Sequence, residues 1–262
     1  MAFDLNNFVI DRIVRGVALS QKDDSVLFSI NQIQNASLNC ASESADAVDA
    51  LGTPIATFYR AKSAEFSAEN ALFDMNLMAT QLGTKKKVAS AASKIVVPAM
   101  ESFTVAEGGS YTLKHAPKTA PSEIYALNGD STFGTKYPMA TAASATEFAI
   151  AGQNISLPTD LAVGTDMFVM YEYETENAVE VVNSATEFPV GCKFVMEVLG
   201  CDVCDQTNLV YAYVIFNNFK LSPDFDWSIA TDGTHPFSGK AQQDYCDKEK
   251  RLFSIVIPGD DE

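Results

Sequence analysis

Cys192-Lys-Phe-Val-Met-Glu-Val-Leu199 and Leu209-Val-Tyr-Ala-Tyr-Val-Ile-Phe216 flank a polar segment, Gly200-Cys-Asp-Val-Cys-Asp-Gln-Thr-Asn208. Both runs are rich in aromatic and β-branched residues and neither carries a helical period. They read as two antiparallel strands joined by a loop longer than the tightest turns. Beyond Pro223, Phe225-Asp-Trp-Ser-Ile229 alternates again, and Asp232-Gly233 marks the next turn. The block from Gly191 to Gly239 therefore predicts an antiparallel sheet that serves as the scaffold for the rest.

Outward from that block, Val26 to Ile33, Ala36 to Ala41 and Ile55 to Lys62 are strand-like, while Phe8 to Arg15 fits a strand or a short helix equally. Ser42 to Asp49 is small, polar and acidic, and the segment Ala41 to Thr53 is expected to order only on contact with a partner. One helix is predicted, at about 67–82. Leu72, Met75, Met78, Ala79 and Leu82 recur at spacings of three and four, Ser67 or Asn70 is placed to cap the start, and Gly83 follows the end. A Met and Leu stripe of this kind faces a core rather than a cofactor. Lys85-Lys-Lys87 reads as a solvated patch after the helix C-terminus.

The middle of the chain is a second β-rich region, punctuated by Gly108-Gly109, Asn128-Gly129, Ala151-Gly152 and Gly164-Thr165. Glu172, Glu174 and Glu176 alternate along a strand, as a solvated face does. The expected fold is mainly β: a β-sandwich or partly closed barrel with one packed helix and an additional β-rich middle region. Residues 1–92 and 189–262 are expected to form one core, with 93–188 an inserted or peripheral subdomain.

At 262 residues the chain can bury a sizeable core. No apolar run approaches the roughly 18–20 residues of a membrane span, and the N-terminus lacks a signal-peptide pattern, so no membrane or export route is expected. Eighteen Lys and Arg stand against 34 Asp and Glu, a net charge of −16. Such a balance argues against gripping nucleic acid, which needs clustered cations. It suits solubility, or a surface that stays close to DNA without sticking to it.

The catalytic inventory is thin, and no catalytic, cofactor-binding or metal residues are assigned. His115 and His235 each lie near a proline in loop-like sequence, with no nucleophile frame beside them. Gly129-Asp-Ser131 reads as a turn. The only metal-like spacing is Cys201-x-x-Cys204, which would need further ligands such as Cys192, Cys246 or His235. Free thiols, a disulfide formed in an assembly, and zinc are the three readings of that pair. Five cysteines, the fifth being Cys40, do not make the framework of a small secreted domain.

Two segments together resemble the major tail, or tail tube, proteins of tailed bacteriophages. They are Asp49 to Phe73 with the helix after it, and Tyr211 to Ala230 with Thr234-His-Pro-Phe-Ser-Gly-Lys-Ala241. The resemblance implies a structural virion protein, assembled in the host cytoplasm, that stacks as hexameric rings around a lumen. Its partners would be copies of itself and other tail proteins, with DNA as non-specific cargo. The alternatives are another virion role, such as capsid decoration, and a carbohydrate-binding β-sandwich that stacks ligands on Trp227 and the tyrosines.

Overall fold

A computed structural model describes residues 7–245 and 248–259. Strand accounts for 55% and helix for 3%, so the fold is mainly β, with a single helix among the described residues. In chain order the elements are β1 (Phe8–Ser20), β2 (Val26–Ile30), β3 (Ile33–Val48), β4 (Pro54–Asn70) and α1 (Met75–Gln81). Next come β5 (Lys87–Val88), β6 (Ile95–Thr104), β7 (Ser110–Thr112), β8 (Glu123–Leu127), β9 (Phe133–Pro138), β10 (Ala149–Ala151), β11 (Asn154–Ser156), β12 (Asp166–Thr175) and β13 (Val179–Glu180). The chain closes with β14 (Gly191–Asp202), β15 (Asp205–Leu221), β16 (His235–Ala241) and β17 (Ser254–Val256).

Two compact units result. One comprises the described residues up to Lys86 and from Val181 onward; the other is Lys87–Glu180. In the first unit a single antiparallel sheet runs in the order β2-β1-β14-β15-β16-β4-β3, and β17 also pairs with β15. β14 and β15 are its spine, as their alternating sequence requires. Phe194, Met196 and Val198 from one, and Ala212, Phe216 and Phe219 from the other, are buried in the core. Phe28, Phe66 and Phe237 come in from β2, β4 and β16, and ring centroids in this cluster lie 5.2–6.4 Å apart. The sheet curls until Gly16 of β1 lies against Ile33 of β3; a Cβ on Gly16 would sit 2.9 Å from that side chain. No ladder joins the two ends, so the sheet is curled but not closed into a barrel.

The helix is shorter than the sequence suggests. It spans Met75–Gln81 rather than 67–82, and Asp74, not Ser67 or Asn70, caps it by accepting from the N–H groups of Asn76 (2.9 Å) and Leu77 (2.7 Å). Residues 64–70 belong to β4 because Ala64, Phe66, Ala68 and Asn70 alternate into the core, while the backbone pairs with β16. At the other end Thr84 N–H bonds to Ala79 C=O (2.8 Å) and Gly83 N–H to Thr80 C=O (3.2 Å). This closure needs the positive φ of Gly83, +74°.

One further local reading is settled and two change. Phe8–Ser20 is a strand, pairing with both β2 and β14. The presumed loop Gly200–Asn208 is almost all strand, with only Val203 and Cys204 in the turn, and the extra residues before Leu209 are taken up in a register shift. Phe225–Ile229 is not a strand. Its alternation finds no ladder partner, and Trp227 instead stacks on Phe73 at 4.4 Å.

The second unit has its own core. A four-stranded sheet, β6-β12-β8-β9, and a three-stranded sheet, β10-β11-β7, contribute Phe103, Ile124, Met167 and Val169 from the one and Ile155 from the other. Pro98 is tolerated within β6 because β6 is an edge strand. At one side of this core the Glu101 carboxylate, 3% exposed, accepts hydrogen bonds from the Tyr171 hydroxyl, the Tyr111 hydroxyl (2.8 Å) and the Lys114 N–H (3.1 Å). Burial pushes the carboxyl up, but the donors outweigh burial and hold it below its ordinary value of 4.5.

A depressed carboxyl stabilises the fold above its unfolded value, and that contribution disappears as pH falls through the folded value. Glu101→Gln is therefore expected to lose about 1–3 kcal/mol at neutral pH, as expected when buried donors lose a charged acceptor. It should also flatten the acid limb of stability below pH 4.5. Calorimetry of both proteins between about pH 3 and pH 7 checks this; parallel curves would rule it out.

Candidate assembly surface

The ladder between β4 and β16 ends at the pair Ala64–Ala241. Past that point β4 is paired only with β3, and the two strands run on as a free two-stranded arm. Every residue from Asn39 to Ser63 is exposed. Ala41 to Val48, eight residues at about 3.3 Å each, project the arm roughly 26 Å. The polar segment expected to be unstructured is thus a strand in register, with Glu43 opposite Arg60, Ala45 opposite Phe58 and Ala47 opposite Ala56.

Local chemistry shapes both ends of the arm. At the tip the Asp49 carboxylate accepts from the N–H groups of Leu51 and Thr53, each at 2.8 Å, and these bonds (that from Thr53 foremost) hold it below its ordinary range. Near the base β4 carries one extra residue between Ser63 and Arg60. Ala61 adopts φ +48° there, a left-handed bulge that bends the strand. Along the arm the apolar side chains have nothing to pack on: Leu51 is 92%, Tyr59 72% and Phe58 56% exposed. Residues opposite one another share a face, so Phe58 lies on one face with Ala45, Ala47 and Ala56. Tyr59 lies on the other with Ser44, Asp46 and Thr57.

The residues singled out for chemistry are scattered. His235 is not in a loop: it opens β16, is fully buried, and is pushed down in pKa by that burial. Its Nδ1 accepts from Asp74 N–H (3.3 Å), so Nε2 carries the proton toward Gln81 Oε1 (2.8 Å). The ring pins α1 to the sheet. His115 stacks on Tyr173 at 3.9 Å, and its N–H donates to the Tyr171 hydroxyl. Gly129-Asp-Ser131 lies in the β8–β9 turn, where the Asp130 carboxylate accepts from Thr132.

Cys201 is the penultimate residue of β14, and Cys204 sits in the following turn, its N–H bonded to the Asp202 carboxylate at 2.7 Å. Cys192 is nine positions back along the same strand, about 30 Å away. It is buried, its thiol pushed up to about 12 by that burial and donating to Phe219 C=O. Neither Cys192 nor His235 approaches the pair, and Cys246 lies outside the described residues. Among the described residues no cluster of three or more His, Cys, Asp or Glu has metal-site geometry.

A family model matches residues 8–254, from the first strand to the last, and it is that of the YomU/Tube protein family. The chain belongs to that family. The match spans both units and the arm, and it agrees with the resemblance to tail tube proteins read from the sequence. A search of curated proteins finds no match.

For a member of a tube family the informative surface is the arm, and the sequence points to only part of it. Its tip is signalled by Leu51-Gly-Thr-Pro54. One strand of its shaft, Ile55 to Lys62, is strand-like in sequence; the facing Ser42 to Val48 is not, because a small, polar strand exposed on both faces has no apolar period to read. Three of the six charged residues noted in sequence form ion pairs. Glu174 meets Lys118 (3.1 Å), Glu176 meets Lys94 (3.4 Å) and Lys87 meets Glu180 (3.5 Å). Exposed pairs of this kind contribute little to stability.

Proposed function

We infer that this chain is the repeating subunit of a phage tail tube, a structural virion protein rather than an enzyme. Subunits stack as rings, hexameric in the expected arrangement, around a lumen that conducts DNA as non-specific cargo. The observation that carries this reading is the arm. A two-stranded ribbon with both faces in water is marginal by itself. One that also displays Leu51, Ile55, Phe58 and Tyr59 is suited to burial against another subunit.

An arm that fits a different patch on the next copy makes a heterologous contact, the type that closes rings or extends stacks. The open edges of β2 and β3 offer further pairing sites. The net charge of −16 suits a wall that repels phosphates, screened over about 8 Å at physiological salt. Other tail proteins are expected partners at the ends of the tube.

Negative-stain microscopy and sedimentation of the purified chain over a concentration series test the reading. Rings or tubes are expected, spontaneously or on seeding with a tail-tip complex. A monomer at every concentration, with no polymer on seeding, would overturn it.

A further inference from the structure

We propose that the unit Lys87–Glu180 carries a binding cleft for an uncharged saccharide, at the end of its four-stranded sheet where β8 and β9 flare away from β6 and β12. This proposal rests on that unit alone and is independent of whether the chain forms tubes.

β8 stops pairing with β12 at Ala126–Met167, yet the β8–β9 hairpin continues through the turn at Asn128–Thr132. The divergence opens a cleft of about 510 Å³, within the range of small-molecule sites. Phe133 forms one wall and is 60% exposed, with its ring 5.0 Å from that of Phe168 and 5.2 Å from that of Tyr125. A large aromatic ring left this open, yet held by two aromatic neighbours, is a rigid platform rather than a loose side chain.

The opposite wall is polar. Asp166 and Thr104 are paired across the ladder, and the Thr104 hydroxyl donates to Asp166 Oδ1 at 2.7 Å, which fixes the carboxylate at the rim. Ser102 and Asn128 add a hydroxyl and a carboxamide to the lining. An apolar face on one side and hydroxyl, amide and carboxylate groups on the other match a pyranose, whose C–H face stacks while its hydroxyls donate and accept. Charge selects among sugars. The lining contains one carboxylate and neither Lys nor Arg, so uronic acids, phosphorylated glycans and nucleic acid meet no cation.

The full chain is tested by affinity electrophoresis through gels cast with hydroxyethyl cellulose, galactomannan or alginate, and by NMR titration with the tetramer of N-acetylglucosamine. Retardation or saturable shifts are expected with at least one of the three neutral probes, and none with anionic alginate. Phe133→Ala is expected to weaken the neutral-probe response at least about tenfold, and Phe188→Ala, an exposed phenylalanine of the other unit, to leave it unchanged. Phe133 is exposed enough for its truncation to leave the fold intact, which matching Tm values would verify. No response to any neutral probe, an undiminished response in Phe133→Ala, or preference for alginate would each overturn the proposal.

Discussion

Replacing Phe58 and Tyr59 together by serine is expected to give a protein that melts with the wild type but remains as single particles where the wild type polymerises. The two side chains lie on opposite faces of the arm, opposite Ala45 and Ser44 respectively, so the double change strips the aromatic anchor from both. Neither touches the core: the arm is exposed from Asn39 to Ser63, and surface changes of this kind usually alter stability by less than about 0.5 kcal/mol. Buried aromatic anchors at an interface, by contrast, are commonly worth 2 kcal/mol or more each. The concentration needed for polymer should therefore rise more than about tenfold, since each 1.4 kcal/mol is a factor of ten. Sedimentation across a dilution series, with calorimetry in parallel, reads both quantities. Polymerisation at the wild-type concentration would exclude the arm from the contact, even if the tube itself were real.

The second large effect lies in the core of the first unit. Phe194 is fully buried and is in ring contact with Phe28, Phe66, Phe216, Phe219 and Phe237, so one side chain joins five strands of the curled sheet. Gly16 faces the same ring, and a Cβ there would lie 3.0 Å from it, so the packing around it is close. Phe194→Ala removes the ring and leaves a cavity that backbone pairing on both sides prevents from collapsing. A loss of about 3–5 kcal/mol is expected. For a unit of this size, at about 2–4 °C per kcal/mol, Tm should fall by roughly 6–20 °C. A calorimetric shift corresponding to less than about 1 kcal/mol would show that the cluster is not the keystone described.

The parts legible in sequence were those with one wet face and one dry one. β14, β15 and β12 alternate over long runs, and the antiparallel scaffold follows from them. The start of the helix is obscured in sequence because two periods overlap there. The three-and-four spacing of Leu72, Met75 and Met78 begins where the two-residue spacing of Ala64, Phe66, Ala68 and Asn70 ends, and small alanines mute the second pattern. Leu72 proves to be 60% exposed and outside the helix. Of the arm's two strands only Ile55 to Lys62 is legible; the facing Ser42 to Val48 is not, because nothing dry lies on either side, and the bulge in β4 is built on Ala61, a residue that does not advertise positive φ. The cleft beside Phe133 was visible only as its Asn128-Gly129 turn, since the divergence of β8 from β12 is a property of the pairing and not of any one segment.

The short ladder of β5 with β13 has a bearing on how such a chain can change over time. Val88 lies opposite Val179 and Lys87 opposite Glu180, so the backbone enters and leaves the second unit through neighbouring rungs, about 5 Å apart. A segment whose two ends meet in this way is a cassette. It can be lost, doubled or exchanged for an unrelated domain in one recombination event, and the host sheet needs only a tight turn to bridge the gap. Selection on the second unit and selection on the first are thereby uncoupled, because among the described residues neither core contributes a strand to the other.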